Sequence, residues 1–259
     1  MTVPFENDTG NIVRKLARKS LKSEKRRNLM VVIAVALASC LICFSIVMAL
    51  STRQIEKNHV EDTYEAVYTK ITEEDVSSLK GLDDFSRVGE YYMLAVEPAE
   101  QGYNASYIYC DEETMYIARD QMKLLEGRLP QKEDEVVVSR YFLSNYAADA
   151  GIGEKVMLSS ESFHGEYTVT GIMEGYKEKE VNGSSILLSK EALKGWSGYD
   201  PADYRAYVHF KNEQQMDETE LTARSREIAK EYQLEMPIMN LSYMKFYKQP
   251  VNVSMLALV

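Results

Sequence analysis

Twenty-two consecutive residues near the start of the chain, Leu29 to Leu50 ("LMVVIAVALASCLICFSIVMAL"), contain no charge, no proline and no glycine. At about 1.5 Å per residue a helix of that length reaches roughly 33 Å, against a bilayer hydrocarbon core of about 30 Å. Core helices of soluble domains are amphipathic and shorter, so the run points to a membrane-spanning helix. A cleaved signal peptide has an apolar region of about 7–15 residues ending in a small-residue cleavage site. Here the apolar run is longer, a long basic segment precedes it, and "MALSTRQ" makes a poor site. The run reads as an uncleaved anchor.

Charge then orients it. The net charge of −10 is unevenly distributed: residues 1–28 carry eight Lys/Arg against three acids, a net of +5. Beyond them lie 22 bases and 37 acids, a net of −15. A basic head on an acidic body implies two different surroundings, and the positive-inside rule assigns the head to the cytoplasm. Residues from Ser51 onward are then extracytoplasmic. Cys40 and Cys43 fall inside the span, and Cys110 is alone outside it, so no intrachain disulfide forms in the outer region. An animal extracellular domain of this size normally has several; the chain reads as a protein of the bacterial cell membrane.

Before the span, Asn11 to Lys25 is expected to form a helix. Ile12, Val13, Leu16, Ala17, Ser20 and Leu21 repeat at helical spacing, and Arg14, Lys15, Arg18, Lys19, Lys22 and Lys25 fill the remaining positions. Such a basic amphipathic helix suits the anionic inner leaflet. After the span, "STRQIEKNHVEDTYEAV" suggests a continuing helix with Ile55, His59 and Asp62 or Thr63 on one stripe.

The outer region mixes helix and strand. "TYEAVYTKI" (Thr63 to Ile71) alternates like a strand, and "TEEDVSSLKG" carries a Thr72/Asp75 capping pattern and a Gly81 stop. "FSRVGEYYMLAVE" and "ASYIYC" read as strands. Far along the chain, "ADYRAYVHF" is a strand. The helix "MDETELTARSREIAKEYQL" buries Leu221, Ser225, Ile228 and Tyr232, and "EMPIMNL" follows as a strand. Between these parts, Leu124 to Ser189 consists of short strands punctuated by glycines, such as "EVVVS", "EKVMLSS", "EYTVTGIMEG" and "SSILLS". The fold class is therefore α+β: one N-terminal transmembrane helix, then an extracytoplasmic α/β module with an inserted β-rich module.

Motifs for catalysis are missing from the sequence. It has no G-x-x-x-x-G-K-[ST] phosphate loop and no G-x-S-x-G elbow. The three histidines, His59, His164 and His209, have no Cys or His at metal-ligand spacing, and His209 alternates like a strand residue. The acidic runs "DEE" (Asp111 to Glu113) and "KEDE" (Lys132 to Glu135) lack calcium-loop spacing and read as solvated turns. Tyr91, Tyr92, Tyr103, Tyr107 and Tyr109 fall on strands, where sheet packing is the expected role. No catalytic, cofactor-binding or metal-binding residue is assigned, no cofactor is expected, and nothing points to nucleic acid.

One stretch is more specific. "LLEGRLPQKEDEVVVS" (Leu124 to Ser139), then "GIGEKVML", then "EYTVTGIMEG" resembles the periplasmic core domain of FtsX-like, MacB-type ABC transporter permeases. Gly127, Arg128, Pro130, Glu135, Gly153, Val156, Val169 and Gly171 match that pattern, and Glu154 stands where Asp is usual. A basic helix, one span and an outer domain of about 200 residues also begin such permeases. The resemblance implies segments at 1–28 (cytoplasmic, basic), 29–50 (transmembrane), 51–250 (extracytoplasmic) and 251–259, where "SMLALV" would start a second membrane helix. Within 51–250, the α/β parts lie at about 55–122 and 200–248 and the β-rich insertion at about 124–190. It also implies a permease subunit, not an enzyme, whose partners are a separate ATP-binding subunit, itself or a related permease in a dimer, and membrane lipids. The outer domain would couple helix motion to substrate export or envelope signalling. The alternative is a membrane-anchored extracellular sensor or binding domain without transport, with one span or two.

Overall fold

A computed structural model describes residues 9–175 and 177–248; the expected second membrane helix at 251–259 lies outside the described residues. The chain parts into two units at Ile55 and Glu56.

In the first unit, helix α1 runs Thr9–Ser23 and helix α2 starts at Lys25 after a break at Glu24. Ile12, Val13 and Leu16 of α1 are exposed, as are its basic side chains. α2 continues unbroken for 36 residues to Val60. It is the one helix among the described residues long and apolar enough to cross a membrane, with a mean hydropathy of 2.9 in its most apolar window and none of that window buried by protein. Its two mid-span serines return their hydroxyls to the helix itself, Ser39 Oγ to Val35 O and Ser45 Oγ to Leu41 O, both at 2.9 Å. Those bonds leave no hydroxyl unsatisfied in hydrocarbon.

The second unit is built on one sheet. Along the chain come β1 (Ala66–Ile71), α3 (Glu73–Lys80), β2 (Phe85–Pro98), β3 (Asn104–Cys110), α4 (Glu112–Ile117), β4 (Met122–Gly127), β5 (Glu135–Ser139), α5 (Arg140–Tyr146), β6 (Lys155–Ser159), β7 (His164–Gly175), α6 (Glu178–Val181), β8 (Gly183–Leu188), α7 (Lys190–Gly195), β9 (Tyr204–Phe210), α8 (Glu218–Glu231), β10 (Ile238–Met239) and α9 (Leu241–Tyr243). The strand order is β10-β1-β9-β2-β3-β8-β5-β7-β4, with β6 added on β7. All pairs are antiparallel except β3/β8 and β5/β7. β2 is long enough to serve two partners: Phe85 to Tyr91 pair with β9, and Tyr91 to Pro98 pair with β3. Strands β4 to β8 thus extend, through the β3/β8 junction, a sheet begun by β1, β2, β3, β9 and β10.

Period-two alternation divides the core between the two faces. Ala66, Tyr68, Tyr92, Tyr107, Val136, Val138, Ile186, Leu188, Ala206 and Val208 meet Val76 and Leu79 of α3, Phe142 of α5, Leu193 of α7, and Leu221 and Ile228 of α8. Val67, Tyr91, Ile108, Val137, Leu187 and Tyr207 face the other way, against Met115 and Ile117 of α4. The tyrosines singled out in the sequence are core residues, with Tyr109 half-buried. Their hydroxyls are used where a partner is near: Tyr92 Oη accepts from Asp200 N at 2.9 Å and Tyr107 Oη from Ser160 Oγ at 2.8 Å. The Thr72/Asp75 capping box forms as expected, and α8 has its own in Asp217 and Glu220.

Several expectations need correction. The helix after the span stops at Val60, so Asp62 and Thr63 do not continue a stripe with Ile55 and His59; Asp62 has φ +50°, which no helix accommodates. The strand expected from Thr63 starts at Ala66, and "EMPIMNL" supplies only two strand residues. Neither acidic run is simply a solvated turn. Asp111 caps α4, accepting from Thr114 N at 2.8 Å, and also from Glu90 N and Lys80 Nζ. Glu135 is buried and receives both Arg128 guanidinium nitrogens at 2.7 and 2.8 Å, with Gln131 N at 2.9 Å.

That Glu135 fork explains the "GRLP…E" spacing. Gly127 ends β4 at φ +82°, and a Cβ there would lie 2.2 Å from Thr170 O. Gly171 is also tightly placed: its Cβ would lie 2.8 Å from Arg128 O. Two backbones touch at these glycines, and the turn that follows aims Arg128 back at Glu135. The arginine holds the Glu135 carboxyl down at about 2, helped by the backbone N–H groups of Gln131 and Lys132.

Candidate coupling site at the exit of the long helix

The last turn of α2 and the six residues after it are bonded into the sheet unit from three sides. Val60 is buried, and Thr63 Oγ1 donates to Val60 O at 2.7 Å, satisfying one of the helix's final carbonyls. Asp62, in the left-handed region, turns the chain sharply at that point. Thr63 and Glu65 follow with no exposed surface at all.

On one side stands the segment after α4. His59 Nε2 lies 3.0 Å from Asp120 O. Arg119 donates to Glu61 O and has its guanidinium 3.6 Å from the Asp62 carboxylate. Gln121 Nε2 donates to Tyr64 Oη, and Tyr64 N donates to Ile117 O at 3.0 Å. Asp120 is partly buried with Oδ1 unpartnered, and that burial raises its pKa against the lowering influence of nearby His59.

From a second side comes β9. Glu65 Oε1 lies 2.7 Å from His209 Nδ1, Glu65 Oε2 accepts from Phe210 N at 2.8 Å, and His209 Nδ1 also lies 3.0 Å from Thr63 O. Burial raises the Glu65 pKa, opposed by the His209 and Phe210 bonds. Burial alone would lower His209, but the Glu65 carboxylate outweighs it and leaves the imidazole raised. A hydrogen-bonded Glu65–His209 pair therefore sits under the helix exit.

The third side is the end of the described chain. Asn240 Nδ2 donates to Tyr64 O at 2.9 Å, Asn240 N donates to Glu65 O at 2.8 Å, and its side-chain oxygen caps α9 through Tyr243 N. Tyr243 and Tyr247 stack at 5.1 Å, and Lys57 Nζ sits 4.8 Å over the Tyr247 ring. The chain thus returns, at residues 240–247, to the place where it entered the unit at residues 57–65.

This arrangement bonds the end of α2 to the sheet unit from three directions. Among the described residues no group of three or more His, Cys, Asp or Glu is placed to hold a metal ion. Of the histidines, His59 and His209 both come to the helix exit, while His164 is exposed at the start of β7. The sequence offered one sign of the site, an acid at an inward position of "TYEAVYTKI". Arg119 and Asn240 gave none, because their partners are 58 and 176 residues away.

A family model of the MacB-like periplasmic core domain matches residues 29–226, which takes in the apolar run and most of the sheet unit. The chain belongs to this family. It carries the MacB-like domain of ABC transporter permeases, as the "GRLP…E" stretch implied, in a membrane protein whose main domain is extracytoplasmic. No curated protein matches the chain. Among solved structures it is similar to the extracellular domain of the noncanonic ABC-type transporter YknZ from Gram-positive bacteria, at 15% identity over 67% of this chain and 97% of that one, TM-score 0.47. It is also similar to a domain of a putative permease protein from Porphyromonas gingivalis (14% identity, 76% and 97% covered, TM-score 0.48). A third is the periplasmic region of MacB from Actinobacillus actinomycetemcomitans (11% identity, 71% and 91% covered, TM-score 0.48).

Proposed function

We propose that this chain belongs to an ABC permease subunit whose extracytoplasmic domain is moved by α2, coupling ATP hydrolysis on a separate subunit to substrate export or envelope signalling. The observation that carries the reading is the bonding of the helix exit. A helix that ended in a loose linker would dissipate displacement, whereas α2 ends in a buried turn fixed by His59, Arg119, Glu65 and Asn240. An unbroken helix from Lys25 to Val60, about 54 Å long, is stiff enough to pass motion from the membrane to that turn.

The same reading divides the chain at residues 28, 50 and 250, with α/β parts at about 55–122 and 200–248 around the β-rich insertion at about 124–190. It puts the basic N-terminal segment in the cytoplasm. There the exposed apolar stripe of α1 lies in the anionic leaflet with Arg14, Lys15, Arg18, Lys19 and Lys22 toward lipid headgroups. It also pairs the permease with a second copy or a relative, as a two-fold ATPase requires.

The test is to loosen the exit without unfolding the domain. His59→Ala combined with Arg119→Ala, in the complete transporter with its ATPase, is expected to leave ATP hydrolysis and assembly intact while export or signalling falls. Unchanged output at wild-type hydrolysis would refute the coupling role.

A further inference from the structure

β6 is an open edge. Among the described residues it pairs with β7 alone, and the register fixes which of its backbone groups are free. Val169 N donates to Glu154 O and Ser160 N to Phe163 O, so the even-numbered positions from 154 to 160 bond toward β7. In an antiparallel ladder the intervening residues point away. Lys155, Met157 and Ser159 therefore turn their N–H and C=O groups outward, and Ser159 O is already taken by Glu100 N at 2.9 Å. The Glu100 contact comes from the loop after β2 of this same chain and occupies one outward acceptor. It leaves two residues' donors and acceptors, at Lys155 and Met157, without a neighbouring strand among the described residues.

Beside that edge runs an open groove of about 680 Å³, lined by Tyr146, the small side chains of Ala147, Ala148 and Ala150, and by Asp149, Glu154 and Met157. Exposed edge strands are normally blunted by shortness, a charged side chain, a proline or a covering loop; "KVMLS" is short and carries Lys155 but has no proline, and small alanines line the groove beside it. The groove is acidic. Asp149 and Glu154 are exposed on it. Lys155, its one cation, is held by Glu166 at 2.8 Å and also feels Asp134.

We propose that the β6 edge is a docking strand for an extended, basic segment of another protein. The segment would add to the sheet through the backbone of Lys155 and Met157, laying its own basic side chains against Asp149 and Glu154. Main-chain pairing supplies affinity and the groove's charge supplies preference, as in other strand-addition interfaces. The site lies on the β-rich part, away from the helix exit in sequence and in sheet order, and does not depend on the coupling role.

The test uses the full chain in detergent and a fluorescein-labelled peptide of alternating lysine and valine. Met157→Pro removes the outward N–H while sparing every bond to β7, so it is expected to weaken peptide binding roughly tenfold, the usual effect of one lost backbone hydrogen bond. Asp149→Asn with Glu154→Gln is expected to weaken binding and flatten its salt dependence. Hydrogen exchange on the unmodified chain supplies a second readout: the peptide is expected to slow the Lys155 and Met157 amides. Equal binding to Met157→Pro with unprotected amides would overturn the proposal. So would equal binding of a glutamate–valine peptide, or protection of both amides by a second copy of this chain alone.

Discussion

Replacing Glu65 by alanine tests the helix exit most severely. Glu65 has no exposed surface, and its carboxylate satisfies Phe210 N at 2.8 Å and His209 Nδ1 at 2.7 Å. Alanine leaves the Phe210 N–H buried and unsatisfied, at about 1–3 kcal/mol. It also removes the carboxylate partner of the half-buried His209 imidazole, which keeps its contact with Thr63 O, and losing one member of a buried charged pair costs up to roughly 3–5 kcal/mol in all. For a unit of this size about 4 kcal/mol lowers Tm by roughly 8–16 °C. The pH profile separates charge from packing. Because the His209 pKa is raised, the stabilisation it contributes is present below about 6.5 and is lost as pH rises through the raised value. Unmodified protein is therefore expected to lose thermal stability on going from about pH 6.5 into the alkaline range, and Glu65→Ala to lose that slope. Thermal melts of both proteins across this range make the measurement. A change in Tm below about 2 °C, with an unaltered pH slope, would refute the argument.

Two further outcomes follow from the "GRLP…E" turn. Glu135→Gln is expected to cost about 1–2 kcal/mol at pH 7, less than the depressed pKa alone implies because Arg128 is half exposed and solvent-screened; denaturant melts should show that difference shrink as pH falls from about 4.5 toward 2, where the native carboxylate itself protonates. Gly127→Ala combines a positive φ with a Cβ 2.2 Å from Thr170 O, so a loss of about 4 kcal/mol is expected, read as reduced yield and a lowered melting temperature.

The sequence showed its local features clearly. The span, the capped helix after Thr72, the alternating strands and the helix burying Leu221, Ser225 and Ile228 all rest on periodicity and caps within one segment. What it hid was set by partners far along the chain. Glu135 looked like part of a solvated acidic loop because Arg128 reaches it only after the Gly127 turn folds back. Asp111 looked like a surface acid, although its carboxylate organises Glu90, Thr114 and Lys80 from three elements. The end of α2 was misplaced by about three residues, because the distant Arg119 bond to Glu61 O, with the sharp turn at Asp62 and the local Thr63 cap on Val60 O, stops it at Val60. For the same reason nothing local in "TYEAVYTKI" showed that Glu65 bonds to His209 and Phe210 at the helix exit. The "GRLP…E" turn was the exception: its residues are close in sequence, and they identified the family before any strand was paired.

The proposed topology sets a cytoplasmic basic head and the α2 span against an extracytoplasmic domain. It is tested most directly by labelling Ser162→Cys, in the exposed turn between β6 and β7, and Lys19→Cys, on α1, with a membrane-impermeant maleimide in spheroplasts. The native thiols leave the background low, since Cys110 is buried and Cys40 and Cys43 lie within the span. The account requires labelling at position 162 in intact spheroplasts and at position 19 only after lysis. The reverse pattern would place the domain in the cytoplasm and contradict it.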